Sequence, residues 1–222
     1  MSGAPPRRPR AGAEAALAHL RRADPVLARI IAAHPAFDPR AWLADLPPMD
    51  AFGALVFQVA GQQLSVAATR RILERLRAGF GGRLPTPAEL LAMDPAALRQ
   101  TGLSGRKVET LRAVAAQFAG GTLRDEDLRA MSDEEIEARL TAIPGIGPWT
   151  VHGMLIIALD RPDVVLPGDL ALRKVMQRAY GMDHLLTQDE VRTIAAPWRP
   201  YRSLATAYLF QLEFDAAAAA GP

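Results

Sequence analysis

The sequence contains no cysteine. This absence excludes a disulfide framework, a zinc site with thiolate ligands and an iron–sulfur cluster held by cysteines. Long apolar runs are also missing, since no segment approaches the roughly 18 apolar residues that a membrane-spanning helix needs. The basic start, Met1 to Gly12, lacks the apolar stretch of a signal peptide. We therefore expect a cytoplasmic protein that does not associate with membranes.

Lysine is scarce, because only Lys107 and Lys174 among the 26 basic residues are lysines. The net charge of +2 is unevenly distributed, with seven arginines against three acidic residues in the segment 1–40. The remainder is slightly acidic, so bulk charge does not indicate a DNA-binding core. Residues 1–12 are rich in Pro, Arg, Gly and Ala without apolar periodicity, and are predicted to form a disordered basic arm.

Segments with the alternation of β-strands are hard to find, whereas apolar residues recur at helical spacing almost throughout. Capping residues followed by proline or acidic residues predict helix starts, and glycines predict helix ends. The predicted starts are Asp24-Pro25, Thr86-Pro87, Asp94-Pro95 and Ser132-Asp133-Glu134-Glu135. Since the 222 residues are half hydrophobic, they can bury a substantial core. We predict an all-α protein of roughly ten helices, each of about 8 to 15 residues.

The segment Leu140–Val151 contains the string Pro144-Gly145-Ile146-Gly147-Pro148-Trp149. Its two glycines let the backbone turn sharply and expose its amides, while Pro148 suits the first turn of a helix. Amides at a helix start, helped by the helix dipole, bind a phosphate without recognising a base. The alternative is a helix–helix connection in which Gly145 and Gly147 only satisfy the turn geometry.

This string resembles the hairpin of the helix-hairpin-helix DNA glycosylase superfamily. The superfamily pattern continues with a Gly/Pro-rich stretch and an aspartate about twenty residues past the hairpin, and Val165–Leu170 supplies both. The resemblance implies that Asp169 is the catalytic residue. Since Asp169 also precedes a predicted helix, the alternative is that it serves only as a cap, worth roughly 1 kcal/mol.

In bifunctional members of the superfamily, a lysine after the hairpin attacks the sugar, and here that position is Trp149. The Gly-Ile-Gly-x-Trp-Thr form resembles the 3-methyladenine DNA glycosylase II branch, in which the tryptophan lines the base pocket. The resemblance therefore implies a monofunctional glycosylase without lyase activity. It covers about residues 45–215 and is closest to the compact form, because too few residues precede the helical core for an extra N-terminal α/β domain.

Further segments carry the resemblance. Phe57–Ala68 is similar to the family's Gly-Gln-x-x-Ser-x-Ala segment, which implies that Gln63 or Leu64 is the wedge that fills the space of the extruded nucleotide. Gly102–Lys107 resembles a family loop that suits a second phosphate contact, with Ser104 and Lys107 as candidates. For each segment the alternative is an ordinary helix or turn.

The end of the chain, Trp198–Ser203, is similar to the family's Trp-x-Pro-Trp/Tyr-Arg-Ser. Phe210, on the helix that follows, matches a pocket aromatic, although aromatics on a late helix are often core residues. His152 lies close to one turn past Trp149 and is a second pocket candidate, the alternative being packing or surface exposure. Asp160 and Asp163 are expected to be solvated.

Two departures from the family pattern bear on the substrate. Gly153 stands where some members place a pocket tyrosine, and Leu170-Ala171 follow Asp169 where others have an aromatic residue. The pocket is therefore expected to be roomier. By analogy with the superfamily, main-chain carbonyls of Thr141, Ile143 and Ile146 would bind a monovalent cation, Na+ or K+, and no other cofactor is expected to be required.

The family architecture implies two helical lobes within one domain, 13–222, with a central lobe at about 65–160, a second lobe from both chain ends, and Asp169 at the cleft between them. The implied function is base excision repair: release of alkylated bases such as 3-methyladenine, 7-methylguanine or ethenoadenine from double-stranded DNA after base flipping, by a monomer associated with the nucleoid. Two alternatives are a glycosylase for oxidised or mismatched bases and a non-catalytic DNA-binding module.

Overall fold

The computed structural model describes residues 11–41 and 49–220, and all the regular structure within them is helical. The predicted all-α class is confirmed. The thirteen α-helices of these residues are α1 (Ala11–Ala23), α2 (Pro25–Ala33), α3 (Ala51–Gly61), α4 (Val66–Ala78), α5 (Pro87–Ala92), α6 (Pro95–Gln100), α7 (Gly105–Ala119), α8 (Asp125–Ala130), α9 (Asp133–Thr141), α10 (Pro148–Ile157), α11 (Leu170–Tyr180), α12 (Gln188–Ala195) and α13 (Arg202–Ala220). A 3-10 turn, Ala196–Trp198, follows α12.

The helices are more numerous and more variable in length than the sequence predicted. Helices α5, α6 and α8 have 6 residues each, whereas α13 has 19. The short helices arise because capping groups and proline recur closely: Thr86 caps α5 and Asp94 caps α6, each followed by a proline. Of the predicted basic arm, residues 1–10 lie outside the described residues, and Ala11 and Gly12 begin α1.

The chain divides into two compact units, which we call the central unit (Leu46–Asp160) and the terminal unit (Met1–Asp45 with Arg161–Pro222). The central unit begins before residue 65, the approximate boundary predicted from the sequence. No helix in the described part of the chain is long and apolar enough to cross a membrane.

Helix α3 forms the core of the central unit. Every residue from Ala51 to Ala60 is buried, as is typical of a helix that is apolar on all sides. It packs against α4, α7 and α10, and α5 covers α7. Asp50 caps the start of α3 by accepting a hydrogen bond from the Gly53 N–H at 2.7 Å. This central helix therefore supports both α7 and α10, the two helices that position the hairpin.

The terminal unit is built from α1 and α2 at the start of the chain and α11 to α13 at its end. Helix α13 packs against α2 and α11, and α1 packs against α2 and the 3-10 turn. Asp24, the cap of α2, is 6% exposed and accepts hydrogen bonds from Tyr180 and Trp198. One buried carboxylate thus joins the two ends of the chain.

Candidate functional site

The hairpin lies between α9 and α10 of the central unit. Ser132 and Glu135 form a capping box at the start of α9. The turn itself is anchored by Ile143 and Ile146, which are buried, while Pro144 and Gly145 are exposed. The two buried isoleucines therefore anchor the turn in the core, while its tip at Pro144 and Gly145 is open to a ligand.

The two hairpin glycines serve different purposes. Gly145 has a φ of +90°, in the region that favours glycine. Gly147 precedes α10 with a φ of −111° and has no steric need for glycine in its surroundings. Since no side chain caps α10, the amides at this helix start are not taken up by a capping side chain and are available to a ligand. The geometry suits the phosphate contact predicted for Gly145 and Gly147, which stays a prediction.

Two side chains that no sequence pattern indicates hold the hairpin in place. Thr110 of α7 is buried, and its Oγ1 would lie 2.0 Å from a Cβ at residue 145. Gln62 donates from Nε2 to the Gly145 carbonyl and to Thr150 Oγ1, both at 3.0 Å. The turn is therefore fixed from α7 and from the end of α3.

Lys107, predicted as a phosphate contact, is engaged inside the central unit. Its Nζ donates to the carbonyls of Ala60 at 2.8 Å and Gln62 at 2.9 Å. Burial lowers the pKa of this ammonium group. These contacts satisfy the last carbonyls of α3 and give Lys107 a structural role. Ser104 is exposed and caps α7 by accepting a hydrogen bond from the Lys107 N–H at 3.3 Å, and its phosphate contact stays a prediction.

The predicted wedge lies in the turn between α3 and α4. Gln63 is exposed and has a φ of +60°, which is uncommon for a residue with a side chain. Leu64 is 44% exposed and Val66 is 49% exposed. Strained backbone conformations of this kind occur preferentially at functional sites. The structure therefore offers both Gln63 and Leu64 to a ligand, and the wedge assignment remains a prediction for the pair.

Helix α10 carries the candidate pocket residues of the central unit. Trp149 is partly exposed in the first turn. His152 Nε2 lies 2.7 Å from Oε2 of Glu137 on α9, and this contact supports the packing alternative; its pocket role stays a prediction. The expectation of a roomier pocket at Gly153 is wrong, because the side-chain amide of Gln58 fills the space where a side chain at residue 153 would begin.

In the terminal unit, Asp169 caps α11 as the sequence predicted. Its Oδ1 accepts a hydrogen bond from the Leu172 N–H at 2.8 Å, and its own N–H donates to the Leu166 carbonyl at 3.0 Å. Asp169 is partly exposed, and the neighbouring Leu170 is 51% exposed. The cap holds the carboxylate in a fixed orientation at the start of α11, so capping and catalysis are compatible roles for one side chain.

The segment that resembles the family's Trp-x-Pro-Tyr-Arg-Ser is structural in the terminal unit. Trp198 is fully buried and donates from Nε1 to Asp24 at 2.8 Å. Arg202 donates from Nε to Asp163 Oδ1 at 2.6 Å, and the Ser203 hydroxyl accepts from the Val164 N–H at 3.0 Å. The expectation that Asp163 is solvated is therefore wrong.

Phe210 lies on α13 and is partly exposed. Two residues before it, Tyr208 is buried and packs against Phe37, with ring centroids 4.6 Å apart. Tyr208 thus belongs to the core of the terminal unit, whereas the partial exposure of Phe210 is compatible with its predicted pocket role, which stays a prediction.

A family model described as the HhH-GPD superfamily base excision DNA repair protein matches residues 56–200. The chain belongs to this superfamily. DNA-3-methyladenine glycosylase 1 of Schizosaccharomyces pombe is 34% identical over 159 residues, which cover 71% of this chain and 70% of the relative. DNA-3-methyladenine glycosylase 2 of Escherichia coli is 32% identical over 175 residues, covering 74% of this chain and 58% of the relative.

A solved structure of the S. pombe 3-methyladenine DNA glycosylase in complex with abasic DNA superposes on this chain with a TM-score of 0.81. The two sequences are 30% identical, and the match covers 89% of this chain and 95% of the other. The family resemblance inferred from the hairpin, Trp149 and Asp169 is confirmed at the level of the HhH-GPD superfamily.

The predicted cation ligands of this HhH-GPD chain are carbonyls of the hairpin. The Ile143 carbonyl accepts a hydrogen bond from the Ile146 N–H at 3.1 Å, and the Thr141 hydroxyl donates to the Glu137 carbonyl at 2.7 Å. Across residues 11–41 and 49–220, no cluster of three or more His, Asp or Glu side chains would bind a metal. Neutral carbonyl oxygens without carboxylates suit a weakly held monovalent cation rather than a transition metal.

Proposed function

We propose that this HhH-GPD protein is a monofunctional DNA glycosylase of base excision repair that hydrolyses the N-glycosidic bond of alkylated bases and leaves an abasic site. The observation that carries the proposal is the hairpin with Trp149 at its helix start, in a chain whose relatives are named DNA-3-methyladenine glycosylases. Its partner is double-stranded DNA that contains such a base.

The hairpin supplies the first step, which is binding to the DNA backbone. The start of α10 has no side-chain cap, and the fixed turn at Gly145 exposes it. A phosphate bound there would be contacted independently of sequence. Carbonyls of Thr141, Ile143 and Ile146 would hold Na+ or K+, which would add positive charge beside that phosphate.

The second step is base extrusion, which costs a few kcal/mol in an intact duplex and less at a damaged pair. The exposed turn with Gln63 and Leu64 would fill the vacated space. Trp149 would stack on the extruded base, and a cationic alkylated purine gains about 0.5–2 kcal/mol from contact with an aromatic face. Charge on the base therefore contributes to its selection.

The third step is cleavage of the glycosidic bond, in which positive charge develops on the deoxyribose. The carboxylate of Asp169, held by its hydrogen bond to Leu172, would stabilise that charge and orient the attacking water. An alkylated purine such as 3-methyladenine is already a good leaving group, so no strong general acid is needed. Because Trp149 occupies the position of the lyase lysine, no strand cleavage is expected.

The decisive experiment compares wild type with Asp169→Asn on a duplex that carries 3-methyladenine or 1,N6-ethenoadenine. We expect wild type to release free base and leave an alkali-labile site, and Asp169→Asn to bind DNA but release little base. Asp94→Asn, at the exposed cap of α6, is the matched control and should retain activity.

Equal base release by Asp169→Asn would overturn the catalytic assignment, and strand cleavage without alkali would overturn the monofunctional one. Preferential release of oxidised bases would favour the alternative substrate class. DNA binding without release of any base would favour a non-catalytic module. We further propose that one chain acts alone on the nucleoid, which size-exclusion chromatography of the protein–DNA complex and imaging of a fluorescent fusion would test.

A further inference from the structure

Gln58 is the one polar residue in the buried stretch Ala51–Ala60 of α3, and it is 7% exposed. Its side-chain amide forms no hydrogen bond with any other residue in the described part of the chain. The amide atoms of Gln58 are not among the fully enclosed polar atoms without a partner in the described part of the chain, so the amide keeps some contact with solvent. This amide, in an otherwise apolar helix, is therefore available to a ligand.

The amide of Gln58 lies directly against Gly153 of α10. A Cβ at residue 153 would be 2.1 Å from Nε2, 2.3 Å from Cδ and 2.7 Å from Oε1 of Gln58. No side chain fits there while Gln58 keeps its position. Glycine is less favourable than alanine inside a helix, and at residue 153 it leaves the space that the Gln58 amide occupies against α10.

The position of Gly153 relates the amide to the base pocket. Gly153 follows Trp149 by four residues in α10, and residues at this spacing lie on one face of a helix, one turn apart. Trp149 is partly exposed at the start of that face. A planar ring stacked on Trp149 would therefore have the Gln58 amide near its edge.

Resting on the proposed function, we infer that Gln58 is a specificity-determining residue that recognises the hydrogen-bonding edge of the extruded base. A glutamine amide pairs with the N6 amino group and N7 of adenine through two hydrogen bonds. 3-Methyladenine retains this donor and acceptor. 7-Methylguanine carries a methyl group at N7 and an oxygen at position 6, so it offers the amide one acceptor. Gln58 thus favours adenine-type lesions.

The test measures single-turnover base release from duplexes that carry 3-methyladenine or 7-methylguanine. Gln58→Met keeps the length of the side chain and removes its amide. We expect this variant to lower the rate on 3-methyladenine about tenfold, while the rate on 7-methylguanine changes less than about twofold. Gln100→Met, on the exposed end of α6, is the matched control and should leave both rates unchanged.

Gly153→Ala provides an independent variant, because its Cβ would displace the Gln58 amide without removing it. We expect the same loss of preference for 3-methyladenine, and the double variant Gln58→Ala/Gly153→Ala should lose no more preference than Gln58→Ala alone. Circular dichroism and thermal melting would verify folding of each variant. If Gln58→Met does not fold, the ratio of the two rates in Gly153→Ala tests the inference instead.

An equal loss of both rates would mean that Gln58 only packs, and an unchanged ratio would mean that it does not contact the base; either result overturns the inference while leaving the proposed function intact. Failure of the wild-type protein to release either base would instead overturn the proposed function, and the inference with it.

Discussion

Thr110 Oγ1 lies where a side chain on Gly145 would begin, 2.0 Å from the position of its Cβ. Gly145 also has a φ of +90°. Both its backbone conformation and its contact with Thr110 therefore require glycine at this position. Gly145→Ala would therefore cost about 1–3 kcal/mol of backbone strain and would push the turn away from α7. We expect weaker binding to undamaged duplex DNA, measured by fluorescence anisotropy at fixed salt.

Gly147→Ala is the matched control for Gly145→Ala. Its φ is −111° and nothing lies within 4 Å of a Cβ at residue 147, so this substitution should leave the backbone of the turn unchanged. Equal loss of DNA affinity in both variants would show that bulk at the tip, rather than the shape of the turn, limits binding.

The wedge can be assigned by substituting Gln63 and Leu64 separately. Gln63 is exposed and adopts the left-handed conformation, so we expect Gln63→Ala to lower base release from a fully paired lesion about tenfold. Release from a mispaired lesion should change less, because extrusion there costs less. Leu64→Ala is the comparison; the reverse ranking would assign the wedge to Leu64.

The features that could be predicted from the sequence are the local ones. The caps at Asp24, Thr86 and Asp169 depend on hydrogen bonds to residues at most three positions away, and they were predicted from residue type and order. The hairpin and the superfamily were likewise evident from one contiguous string and one following aspartate.

The features that the sequence missed depend on contacts between distant segments. Gln62 and Gly145 are 83 residues apart, and Lys107 and Ala60 are 47 apart. No periodicity or cap pattern connects such pairs, so the sequence does not reveal that Lys107 Nζ donates to two carbonyls within the fold. The phosphate contact of Lys107 stays a prediction. The space beside Gly153 was likewise judged from its own position, whereas Gln58, far away in the sequence, fills it.

The carboxylate of Asp24 is central to the stability of the terminal unit. Its Oδ1 accepts from the Val26 N–H at 2.8 Å, and its Oδ2 accepts from Tyr180 at 2.5 Å and Trp198 at 2.8 Å. Asp24→Asn would turn an N–H group toward two donors, so we expect it to lower the free energy of unfolding by about 3 kcal/mol, measured by urea denaturation. Asp94→Asn at an exposed cap should cost less than about 0.5 kcal/mol.

Tyr180 gives the terminal unit a dependence on alkaline pH. Burial, the hydrogen bond to Asp24 and the negative charge of Asp24 raise the pKa of this phenol well above its ordinary value. The folded state therefore keeps a proton that the unfolded state loses above a pH of about 10, so stability falls as pH rises beyond that point. Tyr180→Phe should reduce this slope and cost about 1 kcal/mol at neutral pH. An unchanged alkaline slope in urea denaturation would contradict this assignment.

Asp169 combines two roles that substitutions can separate. Asparagine caps a helix about as well as aspartate, whereas alanine in place of a capping residue costs about 1 kcal/mol. If the carboxylate is catalytic, Asp169→Asn and Asp169→Ala should both lose base release, while only Asp169→Ala should also lose the hydrogen bond to Leu172 and the corresponding stability in thermal melting. The contrary outcome is base release that is retained in Asp169→Asn and lost in Asp169→Ala, in parallel with stability. It would mean that the residue acts only as a cap, because the negative charge would then be dispensable whereas the orientation of α11 would be required.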